Sequence, residues 1–245
     1  MSTATTTTTE TTMPAQGLLP LKASFESSTT CSSAEATLQS LYNRAAQAFL
    51  YRDVVFAASL VASAFTMLHP PTAPTPDALD AHRRKWDILR ITLESTVYSS
   101  PPNRATLSET LRELLLLSPQ SFVTMSHARS LALFTPSSLP RKPTSAFLPH
   151  QVLMTHIASS IKVDCPLVGR EMTEDWLSNR GQYDYIPSTG EAYEKVLELY
   201  CLHILPRLEE WDYARAFLTY EVELPSSKRT VSKLTRWWSP IVNGV

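Results

Sequence analysis

Apolar residues recur at intervals of three and four positions along most of this chain, and this spacing constrains the fold more than any other feature. Between residues 34 and 51, one such stripe consists of Leu38, Leu41, Tyr42, Ala45 and Phe49. This spacing places the side chains on one face of an α-helix. No stretch of the sequence shows the strict apolar–polar alternation that a half-buried strand requires. The chain is therefore predicted to be all-α.

Prolines separate the helical stripes, with 18 of them in 245 residues against only 5 glycines. The segments 69–76 (HPPTAPTP) and 135–146 (TPSSLPRKPTSA) interrupt the periodicity. Proline ends helices because it lacks a backbone donor and restrains the residue before it. The pattern predicts about nine or ten antiparallel helices with short connections.

Polar residues at the starts of these stripes predict where individual helices begin. Asp53 and Ser118 each precede a stripe and can accept a hydrogen bond from a first-turn amide. Two pairs match the capping box, a hydroxyl residue followed three positions later by a glutamate: Thr106 with Glu109, and Ser188 with Glu191.

Composition divides the chain into three segments. Residues 1–32 are rich in Thr and Ser and are predicted to be disordered, because they bury too little apolar surface to offset their ordering entropy. Residues 33–224 are predicted to form one helical domain, since a chain that is 43% hydrophobic can bury a sizeable core. Residues 225–245 form a basic C-terminal segment that contains Trp237-Trp238. No apolar run approaches the roughly 20 residues of a membrane span, so the chain as given is expected to be soluble and cytosolic.

Small residues raise the question of a repeat. Ala45, Ala57 and Ala64 have the spacing of the small positions in a tetratricopeptide repeat, where they allow close approach of two helices. A second match aligns Ala214 with Ala57 but fails at Glu221. These matches predict an irregular, repeat-like helical solenoid, and an ordinary bundle with alanines at helix contacts remains an equal alternative.

The stretch LEEWDYARAFL, residues 208–218, resembles a recognition site because it mixes aromatic and charged residues. We interpret it as a helix–helix contact in which four residues share one face of a continuous helix: Leu208, Trp211, Ala214 and Leu218. On this interpretation, Trp211→Ala costs ~3–5 kcal/mol of stability. Trp86 and Trp176 lie on the apolar faces of their own predicted helices and are also assigned structural roles.

The sequence contains no recognised catalytic or cofactor motif. Its six histidines are not paired at helical spacing, and glycine-rich phosphate loops are missing. Its three cysteines form no CxxC pair, and the net charge of −1 provides no basic footprint for nucleic acid. We therefore expect no catalytic, cofactor-binding or metal-binding residues and no nucleic-acid partner.

One basic run is a candidate binding site. Arg83, Arg84 and Lys85 directly precede Trp86 in the third predicted helix, 77–98. Such a run is either a solvated helix face or a site for an acidic partner.

Five segments resemble the fungal tail-anchored peroxins. They are LYNRAAQAFLYRD (41–53), KWDILRITLESTVY (85–98), LLLLSPQSFV (114–123), VDCPLVGREMTEDWLSNR (163–180) and EKVLELYCLHILPRLEEWDYARAFLTYE (194–221). This family is related to the peroxisomal membrane proteins that dock the AAA ATPase complex recycling matrix-protein import receptors. The resemblance covers residues 38–224. It implies an all-helical, repeat-like domain on the cytosolic face of the peroxisomal membrane, no enzyme activity and no cofactor.

The chain departs from this family at its C-terminal segment. Where the family has a membrane anchor, the sequence reads RWWSPIVNGV and stops at Val245. The basic segment 225–245 is then a truncated lead-in to an anchor, and membrane association requires an anchor beyond this chain.

These observations lead to one main hypothesis and three alternatives. The main hypothesis is a non-enzymatic adaptor that binds the AAA ATPase complex through the exposed surface of helices 34–98, with four residues at the contact: Arg52, Arg83, Arg84 and Lys85. The alternatives are a small-molecule or lipid-binding domain, a general protein–protein interaction scaffold and an enzyme of an unrecognised kind. The ligand pocket of the first alternative would be lined by Trp86, Trp176 and Trp211.

Overall fold

The structure of the protein is a computed structural model that describes Met1 and residues 22–139, 142–181 and 190–223, with side chains from Ser33 onward. These residues form helices and connecting turns and contain no strand, which confirms the all-α prediction. The helices are α1 (Lys22–Leu50), α2 (Val54–Phe65), α3 (Asp80–Ser99), α4 (Glu109–Leu114), α5 (Pro119–Phe134), α6 (His150–Lys162), α7 (Pro166–Asn179), α8 (Gly190–Leu199), α9 (Leu205–Arg207) and α10 (Trp211–Tyr220).

Three short turns of other helical types connect these elements. The 3₁₀ turns Arg104–Thr106 and Ser145–Phe147 precede α4 and α6, and the π-helical turn Tyr200–Ile204 joins α8 to α9. The segments 182–189 and 224–245, which include the predicted Ser188 capping box and the basic C-terminal segment 225–245, lie outside the described residues.

The first helix begins earlier than composition predicts. Residues 22–32, which composition assigns to the segment 1–32, have helical backbone and belong to α1. The stretch from Lys22 to Leu50 contains neither proline nor glycine, so no residue in it breaks the helical backbone.

Of the three predicted helix caps that fall within the described residues, two are confirmed and one is wrong. The side chains of Asp53 and Ser118 accept hydrogen bonds from the backbone amides of Phe56 at 3.0 Å and Ser121 at 3.1 Å. Thr106, by contrast, ends the 3₁₀ turn Arg104–Thr106, and α4 starts after Ser108.

Alanines bring α1 and α2 together as an antiparallel pair. Ala45 on α1 and Ala57 and Ala64 on α2 are fully buried, and their small side chains allow the two helices to pack closely. Further along the chain, α3 packs on both α1 and α6, and α6 packs on α7. The buried faces of α3 and α6 therefore form the centre of the core.

The stretch LEEWDYARAFL spans a break between two helices. Leu208 follows the last turn of α9, Glu209 has a positive φ of 61°, and α10 begins only at Trp211. The continuous helical face predicted from Leu208 to Leu218 is therefore wrong. Ala214 is fully buried, as expected of a helix contact, whereas Trp211 is only half-buried.

Charged groups fix α10 against α7. The Arg170 guanidinium pairs with Glu174 at 2.8 Å and with Glu210, and it lies 5.2 Å from the centre of the Tyr213 ring. The Tyr200 hydroxyl donates to the same Glu174 carboxylate at 2.6 Å. The acidic part of LEEWDYARAFL thus takes part in this joint through Glu210.

Gly169 lies where α7 packs tightly against α6 and the turn Tyr200–Ile204. A Cβ at this position would lie 2.3 Å from Ser160 Oγ and 2.7 Å from Ile204 Cδ1. We expect Gly169→Ala to lower the unfolding free energy by about 1–3 kcal/mol through overpacking, even though alanine favours a helix by about 1 kcal/mol. Urea denaturation measures this change.

Gly190, at the start of α8, provides the matched control. A Cβ there meets no atom of the described residues within 4 Å, so Gly190→Ala should cause no loss. A Gly169→Ala variant as stable as Gly190→Ala would contradict the close packing of α7.

Candidate functional site

The four cations predicted to form one contact do not lie together. Arg83 is only 2% exposed, and its Nε donates to the carbonyl of His69 at 2.9 Å. Its guanidinium also pairs with Asp77 and, at 3.8 Å, with Asp80. Arg83 therefore fastens the proline-rich linker 69–76 to the start of α3, and its assignment to an exposed contact is wrong.

Arg84 and Lys85 lie far from Arg52. Arg84 is partly buried beside Asp80 at 3.4 Å, whereas Lys85 is exposed. Lys85 lies near Glu35 in the middle of α1, because both residues act on the pKa of His82, which burial and Lys85 lower and Glu35 raises. Arg52 follows the end of α1, roughly 20 Å from Glu35 along the helix axis at 1.5 Å per residue.

Arg52 occupies a tight turn between α1 and α2. Its φ is 62°, in the left-handed region, which costs a residue with a Cβ about 1–2 kcal/mol. Two amides close the turn: Arg52 N donates to Phe49 O at 3.0 Å, and Asp53 N donates to Ala48 O at 2.9 Å. Such strain is often found at functional sites.

Large apolar side chains surround this turn and face solvent. Leu50 is 78% exposed and Tyr51 is 77% exposed, and Val55 and Phe56 are also exposed. We call Leu50, Tyr51, Arg52, Val55 and Phe56 the α1–α2 tip. The helix α2 that continues from it, VVFAASLVASAF, contains no charged residue.

The α1–α2 tip is cationic as well as apolar. The Arg44 guanidinium lies 5.5 Å from the centre of the Phe56 ring. Within the described segments, neither Arg44 nor Arg52 forms an ion pair. Both cations are therefore available to an acidic partner. Sequence analysis identified Arg52 but missed its apolar neighbours.

The three tryptophans predicted to line one ligand pocket do not all line either of two cavities found in the described residues. Trp86 is fully buried and meets the Tyr42 ring edge-on, with centroids 5.4 Å apart. Two cavities, of about 350 and about 470 Å³, occur in the described part of the chain, and neither is lined by Trp86 or Trp211. Trp176 does line the smaller cavity, and its indole Nε1 donates to the carbonyl of Leu148 at 3.0 Å.

Arg83 and Arg84 line the same smaller cavity as Trp176. The cavity lies where the linker 69–76 and the start of α3 meet the 3₁₀ turn Ser145–Phe147 and the ends of α6 and α7. Two features that the sequence presented separately, a basic run and a tryptophan, are therefore brought together by the fold.

A buried polar cluster between α3, α5 and α6 contains the most strongly perturbed histidines. His156 is completely buried, with Nε2 2.8 Å from Ser130 Oγ, and burial holds its pKa well below the ordinary value. The neighbouring His127 ring lies 5.3 Å away, centre to centre, and burial lowers the pKa of His127 to about 4. Both imidazoles are therefore neutral near pH 7.

Asp87 and Glu94 of α3 border the same cluster, and sequence analysis did not single them out. Asp87 pairs with Arg90, and Glu94 pairs with Arg129. Burial raises the pKa of both carboxyl groups, and the neighbouring arginines oppose this effect. Asp87 and His156 are completely buried, so the protonation of this cluster affects stability.

Two further kinds of feature are not found among the described residues. They contain no group of three His, Cys, Asp or Glu side chains placed to hold a metal ion. None of their helices combines the length and apolar character needed to cross a membrane. In comparisons with known proteins, no protein-family model, no curated protein and no solved structure matches the chain.

Proposed function

We propose that this chain is a non-enzymatic helical adaptor in peroxisome biogenesis, which docks the AAA ATPase complex that recycles matrix-protein import receptors. The resemblance of five segments to tail-anchored peroxins supports the choice of partner. The α1–α2 tip is the observation that carries the docking role. On this proposal the protein works at the cytosolic face of the peroxisomal membrane, and an anchor beyond this chain would hold it there.

The chemistry of the α1–α2 tip suits a protein partner. Tyrosine, phenylalanine and arginine are enriched at protein interfaces, and a few such anchors carry most of the binding energy. Tyr51 and Phe56 provide the aromatic surface, while Arg44 and Arg52 provide positive charge. The left-handed turn at Arg52 holds these side chains on one rigid corner, which limits the ordering entropy lost on binding.

Arg84 and Lys85 do not extend this surface, because Lys85 lies near Glu35 in the middle of α1 and Arg84 lines the cavity beside the linker 69–76. The proposed contact is therefore smaller than the surface of helices 34–98 considered from the sequence. The proposed contact includes Arg52 and excludes Arg83, because the Arg83 side chain is buried. Lys85 lies outside the contact and serves as a control position for substitutions.

The apolar part of the tip is tested by a double substitution. We expect Leu50→Ser with Tyr51→Ser to weaken binding to the purified ATPase complex by about tenfold or more, the loss typical of removing interface anchors. Retention of the complex on the immobilised full-length chain measures the effect. Tyr220→Ser with Val222→Ser is the matched control, because these two side chains are equally exposed but lie at the end of α10.

Charge reversal tests the basic part of the tip. Arg52→Glu should reduce retention, whereas Lys85→Glu should not. Retention that is unchanged by both tip substitutions would remove the tip from the contact. Failure of the wild-type chain to bind the complex would overturn the proposed function itself.

A further inference from the structure

The cavity of about 350 Å³ beside the linker 69–76 has walls suited to a flat apolar molecule. The rings of Phe134, Phe147 and Trp176 line it. The hydrogen bond from Trp176 Nε1 to Leu148 O, at 3.0 Å, fixes the orientation of the indole. Five prolines of the adjoining segments also line the cavity, and their fixed φ angles make this part of the wall stiff.

Positive charge predominates among the lining side chains. Arg83, Arg84 and Arg180 line the cavity, and Asp80 is the one carboxylate among the described residues that line it. Arg180 pairs with Glu223, outside the lining. Arg83 is committed to the linker and to Asp77. The Arg84 guanidinium contacts the Asp80 carboxylate at 3.4 Å. Most of its five N–H donors therefore remain available to a ligand.

Helix α6 adds a second source of positive potential. It begins at His150, and no side chain caps its first turn, where Pro149 stands at the capping position. The N-terminus of a helix carries a partial positive charge and presents free amides to an anion. Burial, Lys195 and Arg84 together lower the pKa of His150 against the opposing effect of Glu191, which agrees with a positive surrounding.

We infer that this cavity binds a small organic anion, in which a carboxylate, sulfonate or phosphate group is carried on a flat apolar body. The anionic group lies between Arg84 and the start of α6, and the apolar body lies against Phe134 and Trp176. The volume of about 350 Å³ falls at the lower end of the usual range for small-molecule pockets. This site is separate from the α1–α2 tip and does not depend on the docking role.

Isothermal titration calorimetry with naphthalene-1-sulfonate tests this inference on the full-length chain, with neutral naphthalene-1-methanol as the comparison ligand. We expect one site, which binds the sulfonate about tenfold more tightly than the alcohol, because a charge-assisted hydrogen bond contributes at least this factor. Arg84→Ala should weaken sulfonate binding by about the same factor.

Lys85→Ala is the matched control, because it removes a positive charge from the next position of α3 without touching the cavity lining. It should leave the affinity unchanged, and Arg84→Lys should retain part of it. Circular dichroism verifies that each variant is folded.

Three results would overturn the inference: no binding at millimolar sulfonate, equal affinities for the sulfonate and the alcohol, or equal weakening by Arg84→Ala and Lys85→Ala. A fourth outcome is that the sulfonate does not bind but Arg84→Ala alone impairs retention of the ATPase complex. The cavity would then belong to a protein contact, and the inferred small-molecule site would be wrong.

Discussion

Replacing Trp86 by alanine is expected to cost about 3–5 kcal/mol of unfolding free energy, the range for truncating a core aromatic residue. Trp86 is 0% exposed, and its ring fills the space between α3 and Tyr42 of α1. Truncation would leave a void that two packed helices cannot close. Urea denaturation followed by circular dichroism measures the loss.

Two further tryptophan substitutions provide graded controls. Trp86→Phe keeps an aromatic ring and removes a buried indole N–H that has no hydrogen-bond partner among the described residues, so it should cost less than about 1.5 kcal/mol. Trp211→Ala should cost only about 1–2 kcal/mol, because Trp211 is half-buried at the first residue of α10. This value is below the one predicted from the sequence. Equal losses for Trp86→Ala and Trp211→Ala would contradict the difference in burial.

Acidification from pH 7 to pH 4 is expected to destabilise the protein through the buried histidines. Burial lowers the pKa of His127 to about 4, although Asp175 acts to raise it. Between the unfolded value near 6.5 and pH 4, the unfolded chain binds more protons than the folded chain, so stability falls as pH falls. His127 alone contributes a loss on the order of 3 kcal/mol, and His156 acts in the same direction.

The His127→Gln variant isolates this effect. It removes the titrating group, so the variant should lose less stability than the wild type between pH 7 and pH 4. Asp87 and Glu94 act in the opposite direction, because carboxyl groups with raised pKa values take up protons more readily in the folded state. Both carboxyl groups are present in the wild type and in the variant, so their contribution cancels when the two pH dependences are compared. Identical pH dependence of the two proteins would show that His127 is not buried as described.

Local patterns in the sequence predicted most of the helices. The apolar stripes of α1 and α2 needed only helical spacing, and the caps at Asp53 and Ser118 needed only neighbouring residues. The turn at Glu209 was missed because the apolar spacing continues across it, while the backbone there has a positive φ. Periodicity reports which residues share a face, and it does not report a local break in the helix.

The candidate sites depended on contacts between distant residues and could be predicted only in part. Arg83 looked exposed within a basic run, but the linker folds back and supplies the His69 carbonyl and Asp77 as partners. The meeting of Arg84 with Trp176 around one cavity requires the packing of α3, α6 and α7. The α1–α2 tip was missed because the contact was sought among basic residues, whereas four of the five tip residues are apolar.

Amide hydrogen exchange of the chain, free and bound to the ATPase complex, tests the docking role of the α1–α2 tip most directly. We expect binding to slow exchange in residues 50–56 and in the adjoining turns of α1 and α2. Exchange in α10 should stay unchanged, since its exposed Tyr220 is distant in sequence and lies outside the proposed contact. Protection confined to other helices, or a bound complex with unchanged exchange at residues 50–56, would contradict the account.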